Sequence, residues 1–162
     1  MVSFTNYLWV IFISMLPVIE LRGAIPVAAG FGINPAVAYI ICVLGNMLPI
    51  PFILLFIKHI FALLKKVPLF GKLVDKLENN AFKKMEKVDK YSFWGLAIFV
   101  AIPLPGTGAW TGALIAALLD MKIKKSLPAI FLGVVIAGAA VTLITTGAIA
   151  GAGVLKDIFF IH

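Results

Sequence analysis

The sequence is poor in the residues that bind metals and carry out catalysis. Among 162 residues it has one cysteine, Cys42, and two histidines, His59 and His162. A single cysteine excludes a disulfide scaffold, and two widely separated histidines with few acids cannot assemble a metal cluster. The chain also contains neither a Gly-x-Ser-x-Gly elbow nor a His-Glu-x-x-His pair. We therefore expect no enzyme activity, no metal and no cofactor.

Charged residues are scarce as well. They make up 13% of the chain, whereas 62% of it is hydrophobic and the mean hydropathy is +1.11. Soluble domains are typically about 45–50% apolar. This composition excludes a disordered chain and predicts an all-α integral membrane protein with a single domain, residues 1–162.

The positive charge is confined to particular segments. The net charge is +7, and most lysines lie in 58–90, where acids alternate with them, or in 120–125. Short basic loops tend to stay on the cytoplasmic side of a membrane. We therefore expect both segments in the cytoplasm and both termini outside. The alternating acids argue against a nucleic-acid partner.

Proline and glycine interrupt the apolar segments on both sides of 58–90. The first break runs from Pro17 to Gly23, and the second, Pro103-Leu-Pro-Gly-Thr-Gly108, divides 91–119 into two arms. Each of these two arms is about 16–18 Å long, against roughly 30 Å of hydrocarbon, so neither crosses alone. A single broken span would place the two lysine segments on opposite sides of the membrane. We therefore predict a re-entrant hairpin at 91–119.

The same order of elements occurs twice. Residues 1–57 contain an arm, a break, an arm, a turn and a span, and 91–155 repeat that order before a tail at 156–162. A hairpin plus one span crosses an odd number of times, so the second copy enters from the opposite face. The prediction is an inverted repeat of two re-entrant helical hairpins, each followed by a transmembrane helix. Apolar residues at three- and four-residue steps predict an amphipathic connector helix at 58–90.

Inverted repeats with broken helices are typical of secondary transporters, which bind their substrates near the bilayer midplane. The second arm of each hairpin starts at a break, so its free N–H groups and positive dipole end favour an anion. The candidate proton- and substrate-binding residues therefore lie at the breaks: Glu20, Arg22, Gly23, Pro26, Pro103, Pro105, Gly106, Thr107, Gly108 and Thr111. Asn46 and Trp110 are candidate cavity-lining residues.

Glu20 and Arg22 are the only charged residues in positions 1–57. Charges at membrane depth cost about 2.5–3.5 kcal/mol each and usually mark a pathway or relay. In one interpretation Glu20 carries a proton while Arg22 binds a carboxylate or phosphate. In the other, the two side chains pair and only pin the turn, which a broken segment allows and a regular helix does not. Thr107, Thr111 and Asn46 likewise either bind a ligand or hydrogen-bond within the fold.

Two motifs carry a family resemblance. Glu20-Leu-Arg-Gly-Ala-Ile-Pro26 and Pro103-Leu-Pro-Gly-Thr-Gly-Ala-Trp-Thr-Gly112 resemble the small multidrug export protein family of prokaryotic membrane proteins, over nearly the whole chain. That family is distantly similar to the DedA and VTT-domain (SNARE-associated) proteins, whose paired re-entrant loops are associated with proton-linked traffic of polyprenyl phosphate or other lipids. By this resemblance, Glu20 and Arg22 correspond to the tip of the first loop, and Pro105, Gly106 and Thr107 to the second. DedA-type second loops commonly carry an arginine, which this chain lacks.

The resemblance and the residues together predict a small proton-linked secondary transporter of the prokaryotic cytoplasmic membrane. Its substrate is an amphipathic anion such as a lipid phosphate, with Arg22 and the helix starts as the binding site and Glu20 as the proton carrier. Membrane lipids are expected partners, and a homodimer is expected because so few spans enclose little cavity. Two alternatives stay open: an exporter of lipophilic cationic drugs that binds them at Glu20, and a small-solute or ion channel.

Overall fold

The computed structural model describes residues 2–56, 92–104 and 106–160, with side chains as far as residue 151. Every regular element within these ranges is a helix, which confirms the all-α prediction for them. The amphipathic connector predicted at 58–90 and the candidate site residue Pro105 lie outside the described residues.

The first half of the chain forms three helices. Helix α1 covers Phe4–Met15, α2 covers Glu20–Gly30 and α3 covers Pro35–Met47. Helix α3 has a strong start, because the Asn34 side chain accepts a hydrogen bond from the backbone N–H of Ala36 and a proline follows the cap. Gly32, with φ at 73°, makes the preceding turn in a conformation that suits glycine.

The first break is shorter than the sequence predicts. We expected it to run from Pro17 to Gly23, but helix α2 already begins at Glu20. Glu20 and Arg22 therefore lie in the first turn of a helix and not in an open loop. Pro26 lies inside α2, where it removes the hydrogen bond to the Arg22 carbonyl without ending the helix.

The second half also forms three helices. Helix α4 covers Ser92–Ala101, α5 covers Ala109–Leu118 and α6 covers Ile123–Phe160. The second break therefore lies between 101 and 109, where the prolines and glycines of the sequence place it. Helix α6 continues beyond residue 155, where the tail is predicted to begin.

Two helical segments among the described residues are long and apolar enough to cross a membrane. They are Pro35–Phe56, with 22 residues, and Ile123–Gly151, with 29. The first has a break after Met47, at Pro49, and resumes at 50–56. Helices α1, α2, α4 and α5 have only 10–12 residues. Each is about 15–18 Å long and too short for roughly 30 Å of hydrocarbon.

Helix α6 joins the two halves. Helices α1, α2 and α3 pack against one another, α4 packs against α5, and α6 contacts α2, α3, α4 and α5. Small residues allow these close approaches, as is usual in membranes. A Cβ at Gly133 would lie 2.7 Å from the Ala97 carbonyl oxygen, so α4 can approach only a glycine there. The Tyr39 hydroxyl donates to the Val135 carbonyl at 3.2 Å and ties α3 to α6.

Candidate transport site

The backbone at the first break brings the two charged residues of the first half together. Val18 and Glu20 have φ of 77° and 51°, in the left-handed region that costs a residue other than glycine about 1–3 kcal/mol. On a regular helix, positions 20 and 22 would point away from each other. Here the Arg22 Nη1 donates to the Glu20 Oε2 at 2.8 Å. This is the ion pair that the second interpretation of the sequence requires.

The Glu20 carboxylate also binds the start of helix α5. Its Oε2 accepts the backbone N–H of Ala109 at 3.2 Å, and its Oε1 accepts that of Trp110 at 3.1 Å. The first N–H groups of a helix have no partner within the helix, and the dipole there favours a negative charge. The side chain of Glu20 is buried, with the residue 3% exposed. The anion at this helix start is therefore a carboxylate of the protein itself.

Gly108 makes this contact possible. It precedes α5 in an extended conformation, with φ at −83° and ψ at −168°, so the backbone angles do not demand glycine. A Cβ at this position would overlap the Glu20 carboxylate. Glycine is therefore required at 108 by space, because Glu20 reaches the Ala109 and Trp110 amides past it.

Arg22 binds the other side of the second break. Its Nη2 donates to the carbonyl oxygens of Ile102 at 2.9 Å and Val100 at 3.2 Å, and lies 3.3 Å from the Thr107 hydroxyl oxygen. The last carbonyls of a helix lack partners within it. The Thr107 hydroxyl is also within 2.7 Å of the Ile102 carbonyl. Arg22 and Thr107 thus complete the end of α4 as Glu20 completes the start of α5.

Three other candidate residues at the breaks lie in a turn or in a helix. Gly106 makes the turn with φ at 86°, and Gly23 packs against Ile19 in the first turn of α2. Thr111 lies in α5, one turn after Gly108. The residues that the structure brings into one network are Glu20, Arg22, Thr107, Ala109 and Trp110.

Trp110 connects the two breaks in a way that the sequence does not reveal. Its indole Nε1 donates to the Met15 carbonyl at 3.1 Å, at the end of α1. The indole, which is predicted to line a cavity, links α5 to the end of α1 through this bond. The ends of α1 and α4 and the starts of α2 and α5 therefore lie in contact.

Asn46 is a second polar position in the core. It is fully buried on α3, and neither its Nδ2 nor its Oδ1 has a hydrogen-bond partner among the described residues. Its neighbour Gly45 packs against Ser14 and the Ile11 carbonyl, which places this part of α3 beside the end of α1. A buried polar group without a partner costs about 1–3 kcal/mol. The Asn46 amide therefore lies without a partner among the described residues, close to the first break.

The described residues contain no group of three or more His, Cys, Asp or Glu that could hold a metal ion. The groups available for chemistry are the carboxylate of Glu20, the guanidinium of Arg22, the Asn46 amide and the helix starts. Carboxylates, guanidinium groups and helix starts are groups that bind ions in proteins.

Comparison with known proteins supports a role in export. A family model described as "Putative small multi-drug export protein" matches residues 20–141, which is 122 of the 162 residues. The match begins at Glu20 and includes every residue of the network above. No curated protein and no solved structure matches the chain. With its two long apolar helices, the chain is a membrane protein and belongs to this small multi-drug export protein family.

Proposed function

We propose that the protein is a secondary transporter of an amphipathic anion, such as a lipid phosphate, in the prokaryotic cytoplasmic membrane. The observation that supports this is the way Glu20 is held. Two backbone N–H groups at the start of α5 and the Arg22 guanidinium surround its carboxylate. The same set of donors binds the phosphate or carboxylate of a substrate.

In this transporter, α1–α2 and α4–α5 are re-entrant hairpins that enter the membrane from opposite faces. Helices α3 and α6 are the membrane spans. The short lengths of the four arms and the contact between the two breaks support this arrangement.

Irregular backbone at membrane depth must be covered by protein or water. Val18 and Leu104 at the breaks are 80% and 57% exposed. A second copy of the chain would cover them, which supports a homodimer.

Proton coupling follows from competition for one site. A proton on Glu20 removes its negative charge and weakens its bonds to Arg22, Ala109 and Trp110. Those donors then become available to an anionic substrate. When Glu20 loses the proton, its carboxylate returns and displaces the anion. Proton and anion therefore bind together, leave together and cross the membrane in the same direction.

The family match supports multi-drug export, and we propose the export of lipophilic cations as the second candidate function. In that case the buried carboxylate of Glu20 binds either the cation or a proton, while Arg22 only holds the breaks together. Cation and proton then exclude each other and cross in opposite directions. The direction of substrate movement relative to protons therefore separates the two functions.

The experiment is transport by the full chain in liposomes with an imposed pH gradient, with a labelled polyprenyl phosphate and a lipophilic cationic dye as substrates. We expect the phosphate to follow the protons, to lose this coupling in Glu20→Gln and to stop in Arg22→Ala. Exposed residues of matching chemistry provide the control variants Asp120→Asn and Lys124→Ala, which should behave as the wild type.

Three outcomes would contradict the anion proposal. One is phosphate transport that Arg22→Ala leaves unchanged. Another is dye movement against the protons that Glu20→Gln abolishes and Arg22→Ala spares, which is the result expected of a cation exporter. The third is a passive flux of small ions that ignores the pH gradient, which is the result expected of a channel.

A further inference from the structure

A cavity of about 230 Å³ lies between the α2–α3 turn and the second half of α6. None of the candidate residues at the breaks lines it. Its walls come from three helices, α2, α3 and α6, and include Ile25, Ala29, Ile33, Ala38, Thr142 and Thr146. The cavity is therefore a separate space from the network at the breaks, and it extends from the middle of α2 to the start of α3.

Three of the four polar side chains that line this cavity, those of Asn34, Thr142 and Thr146, form hydrogen bonds within the fold. The Thr142 hydroxyl donates to the Gly138 carbonyl and the Thr146 hydroxyl to the Thr142 carbonyl, both at 2.8 Å. The Asn34 side chain accepts from the Ala36 amide. Threonines bonded to their own helix in this way leave their methyl groups for other contacts. A ligand in this cavity therefore gains by burying hydrocarbon and gains little from polar groups.

The cavity begins close to the ion pair. Ile25, one of its lining residues, follows Arg22 by three positions, which is a rise of about 4.5 Å along α2 and places the two side chains on neighbouring turns. Ala29 lines the cavity one turn further on. A molecule with an anionic head at Arg22 would therefore have its tail directed along α2 into this space.

We propose that the cavity binds the hydrocarbon chain of the transported amphiphile while its anionic head binds at Arg22 and the start of α5. This inference rests on the proposed transport of an amphipathic anion and adds a second binding region with its own chemistry. The volume is below the roughly 300–1,000 Å³ of sites that enclose a drug-sized ligand. The cavity therefore suits a single chain better than a fused-ring drug or a two-chain lipid tail.

The test is the binding of n-alkyl phosphates of increasing length to the full chain in phosphatidylcholine nanodiscs. Each methylene moved from water into hydrocarbon is worth about fourfold in affinity, so a filled cavity should cost the longer chains more than the shorter ones. Chain length also increases partition into the bilayer, so the measurement is the difference between the wild type and variants in identical nanodiscs. Ala29→Phe and Thr145→Phe fill the cavity from two different helices. The control, Ala148→Phe, adds the same ring on an exposed part of α6 outside the cavity.

We expect both filling variants to weaken binding of the long-chain phosphates by about tenfold and to leave the shortest ones unaffected. Equal chain-length dependence in the wild type and in both filling variants would overturn the proposal, as would an equal effect of Ala148→Phe. Equal chain-length dependence would also mean that any hydrocarbon chain in the cavity belongs to a bilayer lipid. Circular dichroism and size-exclusion profiles confirm that each variant is folded.

Alkyl alcohols and alkyltrimethylammonium ions with the same chains separate this inference from the proposed function. If the cavity binds the chain, the filling variants weaken all three classes, whereas Arg22→Ala weakens only the phosphates. If the filling variants have this effect but the phosphates bind no better than the alcohols, the anion function fails and the cavity remains a chain site. If Arg22→Ala selectively weakens phosphates and the filling variants do nothing, the cavity proposal alone fails.

Discussion

The carboxylate of Glu20 occupies the space that a side chain at Gly108 would need. The two residues lie on different halves of the chain, and each limits the other. Glu20 can reach the start of α5 because residue 108 has no side chain. The space that a side chain at 108 would need is filled by the Glu20 carboxylate.

Gly108→Ala should therefore displace Glu20 from the Ala109 and Trp110 amides. Leaving a buried carboxylate without these donors costs about 1–3 kcal/mol. The free energy of unfolding should therefore fall by that amount. It can be measured by detergent-denaturant titration of the purified protein. Gly95→Ala is the matched control, because nothing lies within 4 Å of a Cβ at Gly95, in helix α4. That variant should be neutral or more stable, by up to about 1 kcal/mol. Equal losses in both variants would show that the contact at 108 contributes nothing.

Glu20 and Arg22 should show strong coupling in a double-mutant cycle. Removing one partner of a buried ion pair leaves a buried charge and costs about 3–5 kcal/mol, whereas an uncharged pair is much less costly. We expect the double variant to lose less stability than the sum of the losses in Glu20→Gln and Arg22→Met. The exposed residues Asp120 and Lys124 supply the control cycle, Asp120→Asn with Lys124→Met, which should couple by less than about 1 kcal/mol. Additive losses at positions 20 and 22 would contradict the importance of the ion pair.

Asn46→Leu should separate stability from transport. An apolar side chain of similar size removes two buried polar atoms without partners, so the free energy of unfolding should rise by about 1 kcal/mol. If Asn46 serves the substrate or its proton, transport in liposomes should fall in the same variant. Cys42→Ala, one turn earlier on the same buried face, is the control and should not gain stability. A stability loss in Asn46→Leu would mean that the amide is satisfied within the fold.

Trp110→Phe should weaken the connection between the two breaks. The substitution keeps an aromatic ring but removes the indole donor to the Met15 carbonyl, a loss of about 0.5–1.5 kcal/mol. Trp94, which is 59% exposed on α4, is the control. Its replacement by phenylalanine should change the unfolding free energy by less than about 0.5 kcal/mol. If the two variants lose equal stability, the hydrogen bond to Met15 is not responsible.

Composition and the positions of proline and glycine were enough to predict the helical class, the second break and the short arms. These features depend on local chemistry: two prolines and two glycines within 103–108 strongly disfavour a helix, whereas the single Pro26 does not end α2. The start of α2 was not predicted well, because Val18 and Glu20 adopt left-handed backbone conformations for which their side chains have no preference. Tertiary contacts to α5 and α4 select that conformation.

Only some of the interactions of Glu20 could be predicted from the sequence. Its spacing from Arg22 left pairing open, and the helix start near Gly108 was expected to bind an anion. That the anion is Glu20 itself depends on a contact between residues 20 and 109, which no local pattern encodes. A glycine directly before a helix without a capping side chain is the signal that could have suggested it. The cavity beside α6 depends on packing between three helices and has no signal in the sequence.

Glu20 and Arg22 both belong to α2, but they hold different arms of the second half. Glu20 is bound to the start of α5, and Arg22 to the end of α4. Widening the angle between α4 and α5 must therefore stretch the bond between the two charges themselves. Any change that removes the negative charge of Glu20 would weaken its hold on α5 and leave the bonds from Arg22 to α4 in place.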